Sequence, residues 1–212
     1  RCVVCACGGD RNKRHNLLRN FVFHFAAAAN LNPELEKPGL LQPRPLVGSL
    51  PEDGIRLAGL TLAVFQTSIC RGTPLALDVA VTSGLRDIPA AISDAGSAVK
   101  KYEDFKRSHL STERLCMEDG FAFAPIVVEA CGGSWGPSAT KILLERAKTR
   151  CIFYGESQNV VRTQLFQNLG VILHRENARA VARRMFPSDS ISQNLLNAAS
   201  TLQAPQAEAG DE

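Results

Sequence analysis

No apolar run in this chain approaches the ~20 consecutive residues a membrane-spanning helix requires, so no membrane partner is expected. A hydrophobic leader is missing too. The chain opens Arg1-Cys2-Val3-Val4-Cys5 without an initiator Met, which reads as a fragment of a longer protein that is not secreted. An excess of one sign of charge is missing: a net charge of +3 over 212 residues does not by itself argue for a nucleic-acid partner, so the distribution of charge must carry that case. Internal repeats are absent. The 45% hydrophobic and 21% charged content fits one globular domain with a sizeable core and loose ends.

Seven cysteines are present, but a second C-x-x-C pair is not. Cys2, Cys5 and Cys7 crowd the start, and Cys2-Val3-Val4-Cys5 has the spacing of a zinc half-site. A closed site needs four ligands, so the cluster reads either as a ligand remnant or as a loose end. Cys70, Cys116, Cys131 and Cys151 are scattered beside apolar residues and read as small buried hydrophobes in a reducing compartment.

What is present is an acid in an awkward place. Asp78 is the single charged residue of Leu75-Ala76-Leu77-Asp78-Val79-Ala80-Val81, an apolar, partly β-branched run closed by Thr82-Ser83-Gly84. The run predicts a buried strand. A carboxylate there is costly unless it is paired or holds a metal; the plain alternative is an Asp reaching water or a backbone N–H at a strand edge. Lys100-Lys101-Tyr102-Glu103-Asp104-Phe105-Lys106 offers cations, and Glu36 offers a second carboxylate.

Along the chain, Leu17, Leu18, Phe21, Val22 and Phe25 recur at helical spacing and predict a helix over 16–30, ended by Asn32-Pro33. Arg11, Lys13, Arg14, His15 and Arg19 gather just before and inside its first turn, where cations oppose the helix dipole. An anionic partner such as a phosphate backbone explains them, as does a solvated basic start. Leu35 to Pro38 predicts a short strand, 38–54 a Pro/Gly-rich connector, and Leu57 to Phe65, running on through Cys70, a strand without an acid between Asp53 and Asp78. A helix over 89–113 broken near Gly96, a strand over 121–129, a helix over 138–147 and a long helix over 156–185 interrupted at Gly170 follow. On that last helix Arg175, Arg179 and Arg183 share a face, either solvated or tracking phosphates. This order predicts an α/β sandwich around a small mixed sheet.

Glu36, Asp78 and Lys101 or Lys106 are the groups a metal-dependent nuclease needs: oxygen ligands for Mg²⁺ and a lysine that orients water or meets developing charge on the phosphate. Three scattered residues carry little alone. The wording of the chain adds more. Arg14-His15-Asn16-Leu17-Leu18, then Glu36-Lys37-Pro38-Gly39-Leu40-Leu41, then Leu77-Asp78-Val79-Ala80-Val81-Thr82-Ser83 follow the cysteine cluster in one order. Lys101-Tyr102-Glu103-Asp104-Phe105-Lys106, Pro125 to Glu129 and Gly133-Ser134-Trp135-Gly136 continue it. This resembles the C-terminal region of site-specific non-LTR retrotransposon polyproteins, where a zinc knuckle leads into a restriction-like endonuclease of the PD-(D/E)XK class.

The Ser-, Asn-, Gln-, Ala- and acid-rich composition of 187–212 predicts a disordered tail, while the resemblance implies a restriction-endonuclease-like sandwich over 11–186 and a zinc-knuckle remnant over 1–10. It implies DNA as partner, Mg²⁺ as cofactor, fusion to an upstream reverse transcriptase and a nuclear or cytoplasmic location. Asp78 looks like the metal-binding acid of the third core strand, Glu36 like the acid after the first helix, and Lys106 like the migrated catalytic lysine, with Lys101 second. Arg14 and His15 match the basic motif expected to touch DNA. Glu129 falls in a matching strand and is expected to be structural. Two departures follow. Where the family has an Arg/Lys-Pro-(Ala)-Asp motif, this chain has Arg56-Leu57-Ala58-Gly59, by point decay or by a shifted reading frame over 57–70. Cys2 stands at the family's His position without an upstream Cys pair, which argues against zinc binding. The implied activity is target-site nicking, impaired in this copy. The alternatives are a non-catalytic nucleic-acid-binding module, using Arg11, Lys13, Arg14 and the Arg175/Arg179/Arg183 face, or a non-functional remnant.

Overall fold

The computed structural model describes residues 9–35, 61–62, 73–86, 88–132 and 134–185. The cysteine cluster at 2–7, Glu36, the 38–54 connector, Arg56 to Gly59 and the 187–212 tail lie outside them.

The first helix, α1, runs Asp10–Ala28, six residues earlier than the sequence periodicity predicts. Its buried stripe is Asp10, Arg14, Leu18, Val22, Phe25 and Ala26. The early start has a physical basis: two polar residues, Asp10 and Arg14, continue the buried face upstream of its apolar part. Arg11, Lys13, Arg14 and His15 are therefore inside the helix rather than leading into it. Of the predicted 57–70 strand, β1, Thr61–Leu62, is described. It pairs antiparallel with β2, Leu75–Thr82, the predicted Asp78 strand.

The chain then crosses over through a 3-10 turn at Gly84–Arg86 and helices α2 (Ile88–Ser93), α3 (Ser97–Ser108) and α4 (Thr112–Glu118). The break near Gly96 is present. There Asp94 accepts the Gly96 N–H at 2.8 Å and pairs with Lys100 at 3.1 Å. A second break, not anticipated, falls at His109–Ser111, where Leu110 and Ser111 take φ of 54° and 56°. β3, Ala122–Glu129, lies parallel to β2, in register from Leu75 with Ala122 to Thr82 with Glu129. A parallel pair needs such a crossover, which a hairpin turn cannot supply.

Helix α5, Pro137–Tyr154, outruns its prediction by seven residues at its C-terminal end and stops at left-handed Gly155. Helix α6, Gln158–Met185, continues through Gly170 without interruption. A side chain at Gly170 would meet open space, so the residue marks neither a kink nor a tight contact.

Alternation along the strands gives the sheet two working faces. Leu75, Leu77 and Val79 with Ala124, Ile126 and Val128 pack on Leu18 and Val22 of α1, Ile142 and Leu143 of α5, and Val161, Leu165, Leu169 and Leu173 of α6. The other face carries two smaller clusters: Ala76 and Phe123 with Cys116 of α4, and Ala80 and Val127 with Val99 of α3. The described residues thus form a largely helical α/β unit with helices on both faces of a small mixed sheet, in the order β1-β2-β3.

Candidate active site

Asp78 lies midway along β2, on the face toward α3 and α4, between Ala76 of one small cluster and Ala80 of the other. Its register partner on β3 is Pro125. Neither water alone nor a backbone N–H satisfies it. Lys106, in the last turn of α3, places Nζ 2.7 Å from Asp78 Oδ2, and the two side chains are 25% and 26% exposed. Tyr102, one turn earlier, lies under the same ammonium, with Nζ 5.9 Å from the ring centroid. The pair therefore fills the gap between two apolar clusters and keeps one edge open to solvent.

Lys101 is the other lysine singled out in the sequence. Five residues from Lys106, it is about 140° around the helix, and it sits on the exposed side. Lys106 is the one brought to Asp78. Asp78 offers one carboxylate toward a divalent ion, and no group of three or more His, Cys, Asp or Glu comes together among the described residues. These residues alone do not fit a Mg²⁺ site. Glu36, the second expected ligand, and Cys2, Cys5 and Cys7 lie outside the described residues.

The expected DNA contacts belong to the opposite layer. Arg11 and Lys13 are exposed, and His15 is half-buried. Arg14 is corrected: it is 3% exposed, and its Nη1 donates to Asn177 Oδ1 at 2.6 Å. Asn177 in turn donates to the Ala130 carbonyl at 2.6 Å, tying α1, α6 and the end of β3 together. Burial, then the nearby Arg11 charge, lowers the Arg14 pKa. A guanidinium enclosed in this way is not offered to a backbone phosphate.

Arg175, Arg179 and Arg183 have acidic partners within the fold. Arg175 and Arg179 reach Glu176 Oε1 at 3.2 and 2.8 Å, and Glu176 is 3% exposed. Arg183 and Arg184 reach the two oxygens of Asp10 at 2.6 and 3.2 Å. Arg183 and Arg184 fasten α6 to the start of α1, Arg175 and Arg179 pair within α6, and any phosphate would have to compete with those carboxylates.

Two acids complete the frame. Glu129 accepts the N–H groups of Gly84 at 3.2 Å and Cys131 at 2.7 Å, a structural role at the carboxyl ends of the parallel strands. Glu103, which sequence reasoning passed over, is 5% exposed. Its carboxylate accepts the N–H of Ser138 at 3.1 Å and that of Ala139 at 3.4 Å, capping α5 from α3. The available signal was Val99: four residues before Glu103, it puts that acid on the buried face of α3.

The chain matches no family model and no curated protein.

Proposed function

We propose that this chain is a restriction-like endonuclease domain of the PD-(D/E)XK class, of the kind carried at the C-terminal end of site-specific non-LTR retrotransposon polyproteins, and that this copy nicks DNA weakly or not at all. The observation that carries the reading is the Asp78–Lys106 pair: an acid on the central strand and a helix-borne lysine, 2.7 Å apart on a partly open face of the sheet. The pairing joins residues 28 positions apart, which the motif order alone did not require.

In this reading Asp78, with Glu36, would hold Mg²⁺, which when bound polarises the phosphodiester and acidifies the attacking water. Lys106 keeps an ammonium beside the reacting phosphate, where it meets the charge that develops there or orients the water. Asp78 in turn orients Lys106. The weakness of this copy follows from Leu57 and Gly59, which stand where the family has Pro and the central metal-binding Asp. With one carboxylate fewer, Mg²⁺ is poorly held in its near-octahedral shell. DNA as substrate, an upstream reverse transcriptase and a nuclear or cytoplasmic place of action come with the reading.

A supercoiled-plasmid nicking assay with Mg²⁺ or Mn²⁺ tests it, comparing the chain with its Leu57→Pro/Gly59→Asp variant. The expected result is little nicking by the parent, nicking by the variant, and its loss when Asp78→Ala or Lys106→Ala is added. A well-folded variant that never nicks, yet binds DNA with a steep salt dependence, would replace this reading with that of a non-catalytic binding module.

A further inference from the structure

A ladder of three rings runs along α3 away from the Asp78–Lys106 pair. Tyr102, Phe105 and His109 are spaced by three and four residues, which sets them on one stripe of the helix. Tyr102 and Phe105 have ring centroids 5.6 Å apart, and Phe105 and His109 stack at 4.6 Å with 30° between planes. The inner ring is anchored: Tyr102 packs on the cluster of Ala80, Val99 and Val127 and lies under the Lys106 ammonium. The outer rings face solvent, with Phe105 46% exposed.

Three features set this ladder apart from ordinary helix-surface packing. The stacked rings leave a large apolar residue, Phe105, nearly half in water. The chain also departs from the helix at His109 through two left-handed residues, and Leu110, at φ 54°, is itself 46% exposed, so burial does not offset its strain. Finally, cations interleave the rings in Lys101-Tyr102-Glu103-Asp104-Phe105-Lys106-Arg107, and Glu103 is turned inward to cap α5.

We propose that Tyr102, Phe105 and His109 form a stacking platform for an unpaired nucleobase beside the Asp78–Lys106 pair. A flat π-system added to a preformed ladder needs little reordering of side chains, and every base offers such a face. The inner ring, Tyr102, lies under the Lys106 ammonium, so the ladder begins beside the acid and lysine. The ligand is single-stranded or locally unpaired nucleic acid, because a base inside a duplex has both faces covered. Since Lys100, Lys106 and Arg107 are paired with Asp94, Asp78 and Glu113, stacking rather than phosphate attraction dominates the contact. The nucleic-acid identity of the ligand rests on the nuclease reading.

The test is fluorescence anisotropy of the full chain, without metal, with a labelled oligothymidylate and with a labelled duplex. Phe105→Ala and Phe105→Leu should each weaken single-strand binding about tenfold, Phe105→Trp should retain it, and duplex binding and the salt slope should stay the same. Phe105→Trp should also show tryptophan quenching that the parent, with Trp135 alone, does not. No single-strand binding by the parent, equal losses for single strand and duplex, or unchanged binding by Phe105→Ala and Phe105→Leu would each overturn the platform. Because Phe105 is half exposed, these variants fold, and thermal melting verifies it. Nicking in the Leu57→Pro/Gly59→Asp background is scored separately: rescue with unaltered binding in Phe105→Ala sinks the platform alone, and intact stacking without rescue sinks the nuclease reading alone.

Discussion

Glu103 of α3 accepts the backbone N–H of Ser138, at the start of α5, through both carboxylate oxygens at 3.1 and 3.3 Å. The contact joins two helices that lie on opposite faces of the sheet. Beside it, Arg107 donates to the Ser138 hydroxyl at 2.7 Å. Gly136 carries no side chain because a Cβ there would collide with the Glu103 carboxylate. An anion at a helix N-terminus satisfies orphan donors and complements the dipole. Here it also fixes α3, and with it Lys106, against the strand that carries Asp78.

Glu103→Ala should therefore lower stability by about 2 kcal/mol, the loss of a cap plus buried and part-buried donors left without a partner. Glu103→Gln, which keeps one acceptor, should lose roughly half as much. Gly136→Ala displaces the same carboxylate, so combined with Glu103→Ala it should give less than the sum of the two. Urea unfolding measures all three. Additive losses would show that Gly136 and Glu103 act independently.

Arg14→Ala should destabilise by about 2 kcal/mol, because it removes a buried side chain and leaves the part-buried Asn177 Oδ1 without its donor. Arg11→Ala and Lys13→Ala, at exposed positions, should shift stability by no more than about 0.5 kcal/mol. If those two residues meet a phosphate backbone, their loss lowers DNA affinity and the salt slope instead. Thermal melting separates the groups, and an Arg14→Ala protein as stable as the parent would remove the internal role.

How much of this was legible in the sequence depends on the distance over which each contact acts. The Asp78 strand was readable because a short apolar run and its turn are local signals. Helix ends were less so: α1 begins at Asp10 because Asp10 meets Arg183 and Arg14 meets Asn177, partners 173 and 163 residues away. No local pattern announces such pairs. The same long-range pairing hid the internal work of Arg183, whereas Arg175 and Arg179 pair with Glu176 on their own helix; in sequence all three look like a solvated or phosphate-facing stripe. Lys106 was singled out by resemblance, and only the fold distinguishes it from Lys101, by turning one lysine of α3 toward β2 and the other outward.

The cysteines give a pH prediction. Burial, followed by the charges of Asp119 and Glu113, raises the Cys116 thiol from 9.0 to about 11. The neutral thiol is favoured in the folded state, so its contribution is fully present below pH 9 and is lost as pH rises through about 11. Stability should fall across that window, and Cys116→Ala should flatten the fall. Cys131 is exposed, while Cys116 and Cys151 are buried, so native-state alkylation followed by peptide mass spectrometry should modify Cys131 first among these three. Burial and the neighbouring Glu129 also raise the Cys131 thiol, so it should react more slowly than an ordinary exposed cysteine near pH 8. Early labelling of Cys116 would contradict its placement against Ala76 and Phe123.

The sharpest question is whether Asp78 is there for the fold. It interrupts what would otherwise be a continuous apolar seam from Cys116 and Phe123 to Val99 and Val127. A pair a quarter exposed, such as Asp78–Lys106, is expected to contribute no more than about 1 kcal/mol, and apolar residues of similar size often do as well or better. Lys106→Met alone should destabilise by about 1 kcal/mol, because it strands the Asp78 carboxylate. Asp78→Val combined with Lys106→Met should restore or exceed the parent's stability, by up to about 2 kcal/mol, as the two clusters merge. Chemical denaturation of the four proteins in this cycle gives the answer. A gain marks Asp78 as a residue kept against the interest of the fold, as catalytic acids are. A loss of more than about 1 kcal/mol in the double variant would make the pair structural and remove the observation on which the nuclease reading stands.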